Sequence, residues 1–293
     1  MDLCLSGQFE VVTNAFKVID IASPINIELS PEDTVSTAHE EFFFAIDDEM
    51  HDDWFALVKD QNRIFGYLAY DGEYFCGDEN PIENNTPLLN VVEPITPEII
   101  VPSTMPLLEL IPLFERSYFF FALTRNTISH VVSFNDLDKQ PVKLSLFSLL
   151  MELETNIIQL LLYSGDAEKY LSFLPADRIK RIEKFIKPKY NHDGIEYKLL
   201  NTNFWDKGLM LSNFPGFYDQ MNYENEDDFK KHFKSIKDVR NKIAHGDSFL
   251  KILDKPVKLN KFLINLIKAI NVISGLNNSL KDGDENCIDP TPI

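Results

Sequence analysis

The sequence has no run of about eighteen consecutive apolar residues, the length that predicts a membrane-spanning helix. It has only three cysteines, with neither the spacing of a disulfide framework nor a CxxC metal pattern. Acidic Asp2 and the lack of a basic region before Lys17 argue against a secretory signal. We therefore expect a cytoplasmic protein without a membrane partner and without a metal site.

Basic residues are scarce in the first half of the chain. Residues 1–140 contain six Lys and Arg against 25 Asp and Glu, whereas residues 141–293 contain 22 against 21. An acidic surface repels phosphates, so any contact with RNA is expected in the second half. A length of 293 residues accommodates two domains, and the change in charge predicts their boundary near residue 140.

The first half also shows one order of elements twice: a strand, a helix, a strand, a turn and a further strand. The first copy has strands at 27–29, 54–59 and 64–68 and a helix at 38–44. The second copy has strands at 99–101, 118–123 and 128–133 and a helix at 108–115. This order predicts a tandem repeat at about 16–80 and 90–140 within a domain covering 1–140.

The strongest motif of this repeat is the string HVVSFNDL at 130–137, in which a strand ends at Ser133 and Asp136 opens the next helix. It resembles the CBS motif, which occurs in tandem pairs that bind adenine nucleotides or related ligands. The resemblance implies that Ser133 contacts ribose or phosphate, that Asp136 holds the ribose, and that backbone around Val101 flanks the base. An adenine nucleotide is then the expected regulatory ligand. Ser133 and Asp136 are equally a plain helix-start signature, which leaves a purely architectural repeat open.

The first copy matches this motif less well. Ala69 stands where the motif has a hydroxyl residue, Gly72 occupies the Asp position, and Asp71 lies one residue early. The sequence therefore favours one nucleotide site rather than two.

From residue 142 onward the apolar spacing predicts helices. These are expected at 144–163, at 178–186 with an end before Pro188, at about 227–245 and at about 259–276. A polar segment at 281–293, which contains two prolines, is expected to be a flexible tail.

The third of these helices ends in the string VRNKIAHG at 239–246. Arg240, Asn241 and His245 resemble the Arg-x4–6-His signature of HEPN domains, helical bundles that often dimerise and often cut RNA. The small residue before the histidine and the glycine after it also fit this signature. The resemblance covers about 142–280. The expected fold is an α+β tandem CBS-like repeat followed by an all-α HEPN-like helical bundle at 141–280.

Metal-independent RNA cleavage uses the substrate's 2′-hydroxyl as nucleophile and needs a proton-transfer group and a fixed cation. His245 suits general acid/base chemistry near neutral pH, and Arg240 suits stabilisation of charge on the phosphoryl oxygens. Asn241 is expected to position a phosphate or ribose. Glu154 is expected either to orient Arg240 or Asn241, or to be a solvent-facing carboxylate.

Five helical steps of about 100° place Arg240 and His245 roughly 140° apart, so they do not share one narrow face. Both fit a groove between two protomers, which is also the arrangement of the family, and a homodimer is expected. Alternatively, a histidine before a glycine is an ordinary helix C-terminus, and Arg240 pairs with Asp238 or Glu154.

These observations predict a ligand-regulated, metal-independent endoribonuclease that acts on RNA and needs no cofactor for catalysis. By resemblance, such proteins are often toxins or anti-phage effectors, with an antitoxin or regulatory protein as a further partner. The alternative is a non-catalytic, nucleotide-sensing regulatory dimer that recruits a partner protein. A third reading is an RNA-binding module without cleavage. A basic cluster is either an RNA contact or a solvated helix face; it comprises Lys180, Arg181, Lys184, Lys187 and Lys189.

Overall fold

The computed structural model describes residues 14–46, 54–61, 63–70, 83–190 and 194–281. Residues 17–139 form one compact unit, and residues 140–281 belong to a second. Several sequence predictions lie outside the described residues: those on the three cysteines, on Asp71 and Gly72, and on the tail beyond Lys281.

The first unit is α+β and contains the predicted order of elements twice. The first copy consists of β2 (Ile27–Leu29), α1 (Val35–Ile46), β3 (Trp54–Asp60) and β4 (Arg63–Tyr70), preceded by β1 (Ser23–Pro24). The second consists of β5 (Ile100–Pro102), α2 (Leu107–Leu110), β6 (Phe119–Thr124) and β7 (Thr127–Ser133). Short 3-10 turns lie at Val18–Asp20, Leu88–Asn90, Pro97–Ile99, Ile111–Glu115 and Asn135–Asp138. The helix predicted at 108–115 is therefore only one α-turn that tightens into a 3-10 turn where Pro112 removes a backbone donor.

Each copy builds its own sheet in the same way. In the first copy β2 pairs with β3 in parallel and β3 pairs with β4 antiparallel; in the second copy β5, β6 and β7 pair likewise. Both hairpins carry a register shift near the turn, between Val58 and Lys59 and between Ala122 and Leu123. The two predicted hairpins are thus confirmed.

The segment that precedes each copy pairs with the other copy. We call residues 17–25 and 87–93 the leader segments. In the first leader, Val18 N–H donates to the carbonyl of Met105 at 2.9 Å, and β1 pairs antiparallel with β7. Two strands of the four-stranded sheet β1-β7-β6-β5 therefore come from opposite ends of the unit.

The second leader makes the reciprocal contacts. Leu88 N–H donates to the carbonyl of Asp33 at 2.8 Å, and Tyr67 and Glu93 exchange backbone hydrogen bonds of 2.9 and 3.0 Å. Glu93 also accepts a side-chain hydrogen bond from the Tyr67 hydroxyl at 2.6 Å. Only a glycine fits at position 66, because a Cβ on Gly66 would lie 2.3 Å from the Glu93 carbonyl oxygen. The exchange of leaders gives the first unit an internal two-fold relation.

Aromatic side chains fill the space between the two sheets. Phe55 and Tyr67 from the first copy contact Phe119 and Phe121 from the second, with ring centroids 4.6 to 6.0 Å apart. Val131 and Ile25 belong to the same cluster. A second cluster lies where α1 covers the three-stranded sheet, with Phe42 and Ala38 fully buried. Alternating apolar residues on the strands supply both cores.

The second unit is helical throughout its described residues. Its helices are α3 (Gln140–Tyr163), α4 (Ala167–Ser172), α5 (Ala176–Tyr190), α6 (Ile195–Leu200), α7 (Phe204–Leu211), α8 (Phe217–Met221), α9 (Glu226–Ala244) and α10 (Pro256–Lys281). The long helices α3 and α10 pack along each other. A leucine and isoleucine stripe at helical spacing buries α3, and it includes Leu146, Leu149, Leu153, Ile157 and Leu160.

By length and composition alone, α3 and α10 could each cross a membrane. In their most apolar stretches, 61% of α3 and 50% of α10 is buried inside the structure. Core helices of a helical domain have the same properties, so this observation does not by itself indicate a membrane.

Two helix predictions need correction. The helix expected to end before Pro188 continues to Tyr190, because a proline so close to a C-terminus removes only one backbone hydrogen bond of the helix. The last helix begins at Pro256 rather than about 259 and ends at Lys281 rather than about 276. Pro256 at the first helical position explains the earlier start, since its missing N–H is not needed there.

Candidate functional site

The motif at 239–246 lies at the C-terminal end of α9. Asn225 starts this helix, because its Oδ1 accepts from the backbone N–H of Asp228 at 2.9 Å. At the other end Gly246 has a φ of +75°, which only glycine adopts freely. The N–H groups of Gly246 and Asp247 donate to the carbonyls of Ile243 and Lys242, at 3.0 and 2.9 Å. This is a Schellman end, and it leaves His245 as the C-cap residue.

Arg240 points from α9 toward α3. Its Nη2 lies 3.8 Å from Oε2 of Glu154, and its Nη1 donates to Oδ1 of Asn241 at 3.5 Å. The Nε atom is buried and has no hydrogen-bond partner in the described part of the chain. Of the two acids considered from the sequence, Glu154 is the one that Arg240 contacts, while Asp238 pairs with Lys237.

Glu154 is held in turn by a buried lysine. Its side chain is 15% exposed, so it is not a solvent-facing carboxylate. Oε1 of Glu154 lies 2.9 Å from Nζ of Lys207, whose side chain is 1% exposed. The same Nζ donates to the carbonyl of Thr202 at 2.6 Å. Glu154 therefore joins two cations, Lys207 below it and Arg240 toward the surface.

Two local features bring Lys207 to this position on α7. Asn203 and Asp206 form a reciprocal capping box, with bonds of 2.8 and 3.1 Å, that fixes where α7 begins. Gly208 then allows α7 to approach α9, because a Cβ there would lie 2.2 Å from the ring of Phe233. The sequence prediction missed Lys207. Its only signal is a lysine in a short, largely apolar helix, and this pattern does not reveal burial.

His245 is exposed and lies beside a shallow cavity of about 490 Å³. Asn241 lies in the wall of this cavity and also contacts Arg240, so it connects the two motif residues. Arg240 itself is not part of the wall. The remaining wall consists of Asp238, Lys242, Asp247 and Ile252.

The charge of this cavity is mixed. Lys242 Nζ lies 3.0 Å from Oδ2 of Asp247, and this hydrogen bond and charge lower the pKa of the Asp247 carboxyl. Asp238 adds a second carboxylate. One chain therefore presents the exposed imidazole of His245 next to Lys242, whose charge is already paired with Asp247. This arrangement is a weak binding site for a phosphate.

The nucleotide-site residues of the first unit lie together at the end of β7. Oδ2 of Asp136 accepts from the backbone N–H of Ser133 at 2.7 Å and from its hydroxyl at 3.2 Å. Oδ1 of Asp136 lies 2.7 Å from Nζ of Lys139, which also donates to the carbonyl of Ile21 at 2.6 Å. Both carboxylate oxygens thus have partners inside the unit. A ribose at Asp136 would have to replace the contact with Lys139.

Val101 and Ala69 are the other residues considered for this site. Val101 lies in the middle of β5, paired with Ala122 of β6, and its side chain is in the core. Ala69 lies on β4 opposite Phe55. The structure therefore brings Ser133 and Asp136 together, and it places Val101 in a separate strand of the same sheet.

The basic cluster lies on α5. Lys180, Arg181 and Lys184 are exposed, and Arg181 Nη2 pairs with Asp177 at 3.3 Å. The side chains of Lys187 and Lys189 are outside the described residues. No group of three or more His, Cys, Asp or Glu side chains that could hold a metal ion occurs within the ranges that the structure covers.

The sequence matches no protein-family profile and no curated protein. Among solved structures, it is similar to the CBS domain of the bacterial CNNM/CorC family Mg²⁺ transporter, solved alone, with ATP and with the inhibitor IGN95a. Identities are 12 to 13%, each TM-score is 0.34, and 46% of this chain is covered. The match covers 80% of the chain solved alone, 92% of the chain solved with ATP and 81% of the chain solved with IGN95a.

Proposed function

We propose that this chain is a metal-independent endoribonuclease whose cleavage site forms between two copies of the helical unit. One observation carries the proposal: an exposed His245 lies next to Asn241, which contacts an Arg240 fixed by a carboxylate on another helix. The neutral imidazole would accept the proton of the attacking 2′-hydroxyl, and a protonated imidazole would donate a proton to the leaving 5′-oxygen. Arg240 would stabilise the charge on the phosphoryl oxygens, and no metal is required.

The need for two copies follows from the charge of one. The cavity beside His245 offers Lys242, which is paired, and two carboxylates. A second copy related by two-fold symmetry would bring another Arg240 and His245 to the same groove and raise its positive charge. RNA would bind on this unit because the first half of the chain carries all of the excess negative charge.

We propose that the first unit regulates this activity by binding an adenine nucleotide at Ser133 and Asp136. Lys139 would release Asp136 and contact the phosphate, which converts an internal ion pair into a ligand contact. A nucleotide changes activity only if it binds one arrangement of the protein better than another. A role as a toxin or anti-phage effector, held in check by an antitoxin, fits this kind of activity.

The test is cleavage of total RNA by the purified full chain in EDTA, with products resolved on a gel. His245→Ala changes an exposed side chain, so it should leave folding and dimerisation intact and reduce cleavage by about 100-fold or more. His130→Asn removes a histidine from the first unit and is the matched control. In the absence of nucleotide, it should cleave RNA like the wild type. The products should carry a 2′,3′-cyclic phosphate and a 5′-hydroxyl. AMP and ATP are then added to measure regulation.

One observation favours the alternative of a non-catalytic regulatory dimer. The Schellman end accounts for a histidine and a glycine at these positions without any chemistry. In that case the wild-type chain dimerises and binds nucleotide but does not cleave RNA, with or without AMP and ATP. RNA binding that survives His245→Ala without cleavage would instead indicate an RNA-binding module.

A further inference from the structure

A second cavity of the helical unit, of about 570 Å³, has no part in the site described above. It lies between α9, the segment after α8, the loop before α10 and α10 itself. Ile252 lies in the walls of both cavities, so the two are neighbours. The polar and charged residues of the second cavity that bear on its chemistry are Tyr223, Asp228, Lys231, His232, Lys258 and Lys261, none of which the sequence prediction singled out.

Lysines dominate the charge of this second cavity. Lys231, Lys258 and Lys261 lie in its wall, against a single carboxylate, that of Asp228. Lys258 is bonded to Asp254 at 2.7 Å, outside the wall. Lys231 and Lys261 have no ion pair within the described ranges, and both are exposed. Two free ammonium groups thus face a concave surface, which favours an anion.

A half-buried aromatic pair, Tyr223 and His232, also lies in this wall. The Tyr223 hydroxyl contacts Nδ1 of His232. Burial lowers the pKa of His232 to about 4, and the charges of Lys261 and Lys268 act in the same direction, against Asp228. Burial also raises the pKa of Tyr223, so the phenol stays protonated and can donate a hydrogen bond to Nδ1 of the neutral imidazole. Nε2 then carries the hydrogen, and this atom is buried without a partner among the residues that the structure describes.

The other walls are apolar. Met221, Leu253 and Phe262 are buried side chains that contribute to this surface. A cavity of this volume lies in the range that holds small organic ligands, about 300–1,000 Å³. The arrangement therefore combines cations for a phosphate with an apolar surface for a base.

We propose that this second cavity binds the phosphomonoester of a mononucleotide, either free or at the 5′ end of an RNA strand. Lys231 and Lys261 would hold the doubly charged phosphate, and the apolar wall would contact the base. The proposal does not depend on RNA cleavage by His245.

The test is the affinity of the full chain, at fixed ionic strength, for three probes measured by calorimetry. The probes are AMP, a 2′-O-methyl trinucleotide with a 5′-phosphate, and the same trinucleotide without it. The methyl groups block cleavage, so the outcome is independent of catalysis. The variant Lys231→Gln/Lys261→Gln is compared with Lys234→Gln/Lys255→Gln, which removes the same charge from exposed positions outside the cavity.

We expect the cavity variant to weaken binding of the phosphorylated probes by about tenfold or more, and the control variant by less than about twofold. Nucleotide bound in the first unit is unaffected by either pair, so it does not mimic this difference. If the cavity variant loses affinity for AMP alone, the ligand is a free nucleotide; if it loses affinity for the phosphorylated trinucleotide alone, the ligand is an RNA end. Equal loss in both variants, equal binding with and without the 5′-phosphate, or no binding by wild type would overturn the proposal.

Discussion

Replacing Glu154 by Gln tests the buried charge cluster directly. The substitution keeps the shape of the side chain but removes its charge, so the Lys207 ammonium is left buried and faces a neutral amide. Removing one partner of a buried pair costs about 3–5 kcal/mol. Because Glu154 is 15% exposed and the Thr202 carbonyl remains a partner for Lys207, we expect about 3 kcal/mol, at the lower end.

Urea denaturation measures this loss as a change in the free energy of unfolding. Trp205 lies on α7 beside Phe233, with centroids 6.4 Å apart, so its fluorescence reports on the helical unit. The only other tryptophan is Trp54, and a Trp54→Phe background leaves Trp205 as the sole signal. Wild type, Glu154→Gln and Glu154→Gln/Lys207→Met are compared in this background.

The double variant decides between two explanations. If an unpaired Lys207 causes the loss, removing its charge as well should recover a large part of the roughly 3 kcal/mol that the single variant loses. A loss of less than about 1 kcal/mol in Glu154→Gln would refute the reasoning, since that is the value of an exposed pair. A double variant that is less stable than the single one would also refute it.

Two further predictions concern the helical unit. Gly208→Ala should cost about 2 kcal/mol or more of folding stability, because its Cβ would lie 2.2 Å from a ring carbon of Phe233. Gly275→Ala on α10 has open space around the new Cβ and should stabilise the fold by about 0.5–1 kcal/mol. Thermal unfolding of both variants checks these two values. His232 should make the unit less stable as the pH falls from 6.5 toward 4, because burial lowers its folded-state pKa to about 4 while the unfolded chain takes up a proton near 6.5. The loss approaches about 3 kcal/mol, and a pH series of urea midpoints should show a smaller loss for His232→Gln; equal losses would contradict this assignment.

Local sequence patterns anticipated much of the first unit. The hairpins at 54–70 and 119–133 have apolar strands on either side of a short polar turn, and such a signal needs no distant partner. The exchange of leaders could not be predicted in this way. Val18 and Leu88 lie in short segments with no periodicity, and they pair with the backbone of Met105 and Asp33, which are 87 and 55 residues away.

The helical unit shows a similar limit. The start of α9 at Asn225 and its end at Gly246 are encoded by capping residues within a few positions, so the placement of His245 followed from the sequence. The direction of Arg240 depends on which helix packs against α9. Glu154 was one of two acids considered for it, and only the packing of α3 selects that one.

The sequence could not predict which lysines are buried and which are exposed, for a different reason. Lys207 is buried while Lys231 and Lys261 are exposed, yet each is a lysine on an amphipathic helix with at least one polar neighbour in the chain. Burial depends on which helix lies opposite, and for Lys207 the close approach at Gly208 is decisive. Charge counts alone do not distinguish a structural cation from one that faces a cavity.

The exchanged leaders also determine how the first unit comes apart. Since β1 completes the sheet of the second copy and Glu93 lengthens that of the first, neither copy has its full set of backbone partners unless both are folded. Opening one copy exposes an unpaired edge in the other, which raises the cost of partial unfolding. Amide protons on β4 and β7 should therefore exchange with solvent at the same rate, through one cooperative opening, although the two strands lie more than 55 residues apart in the chain.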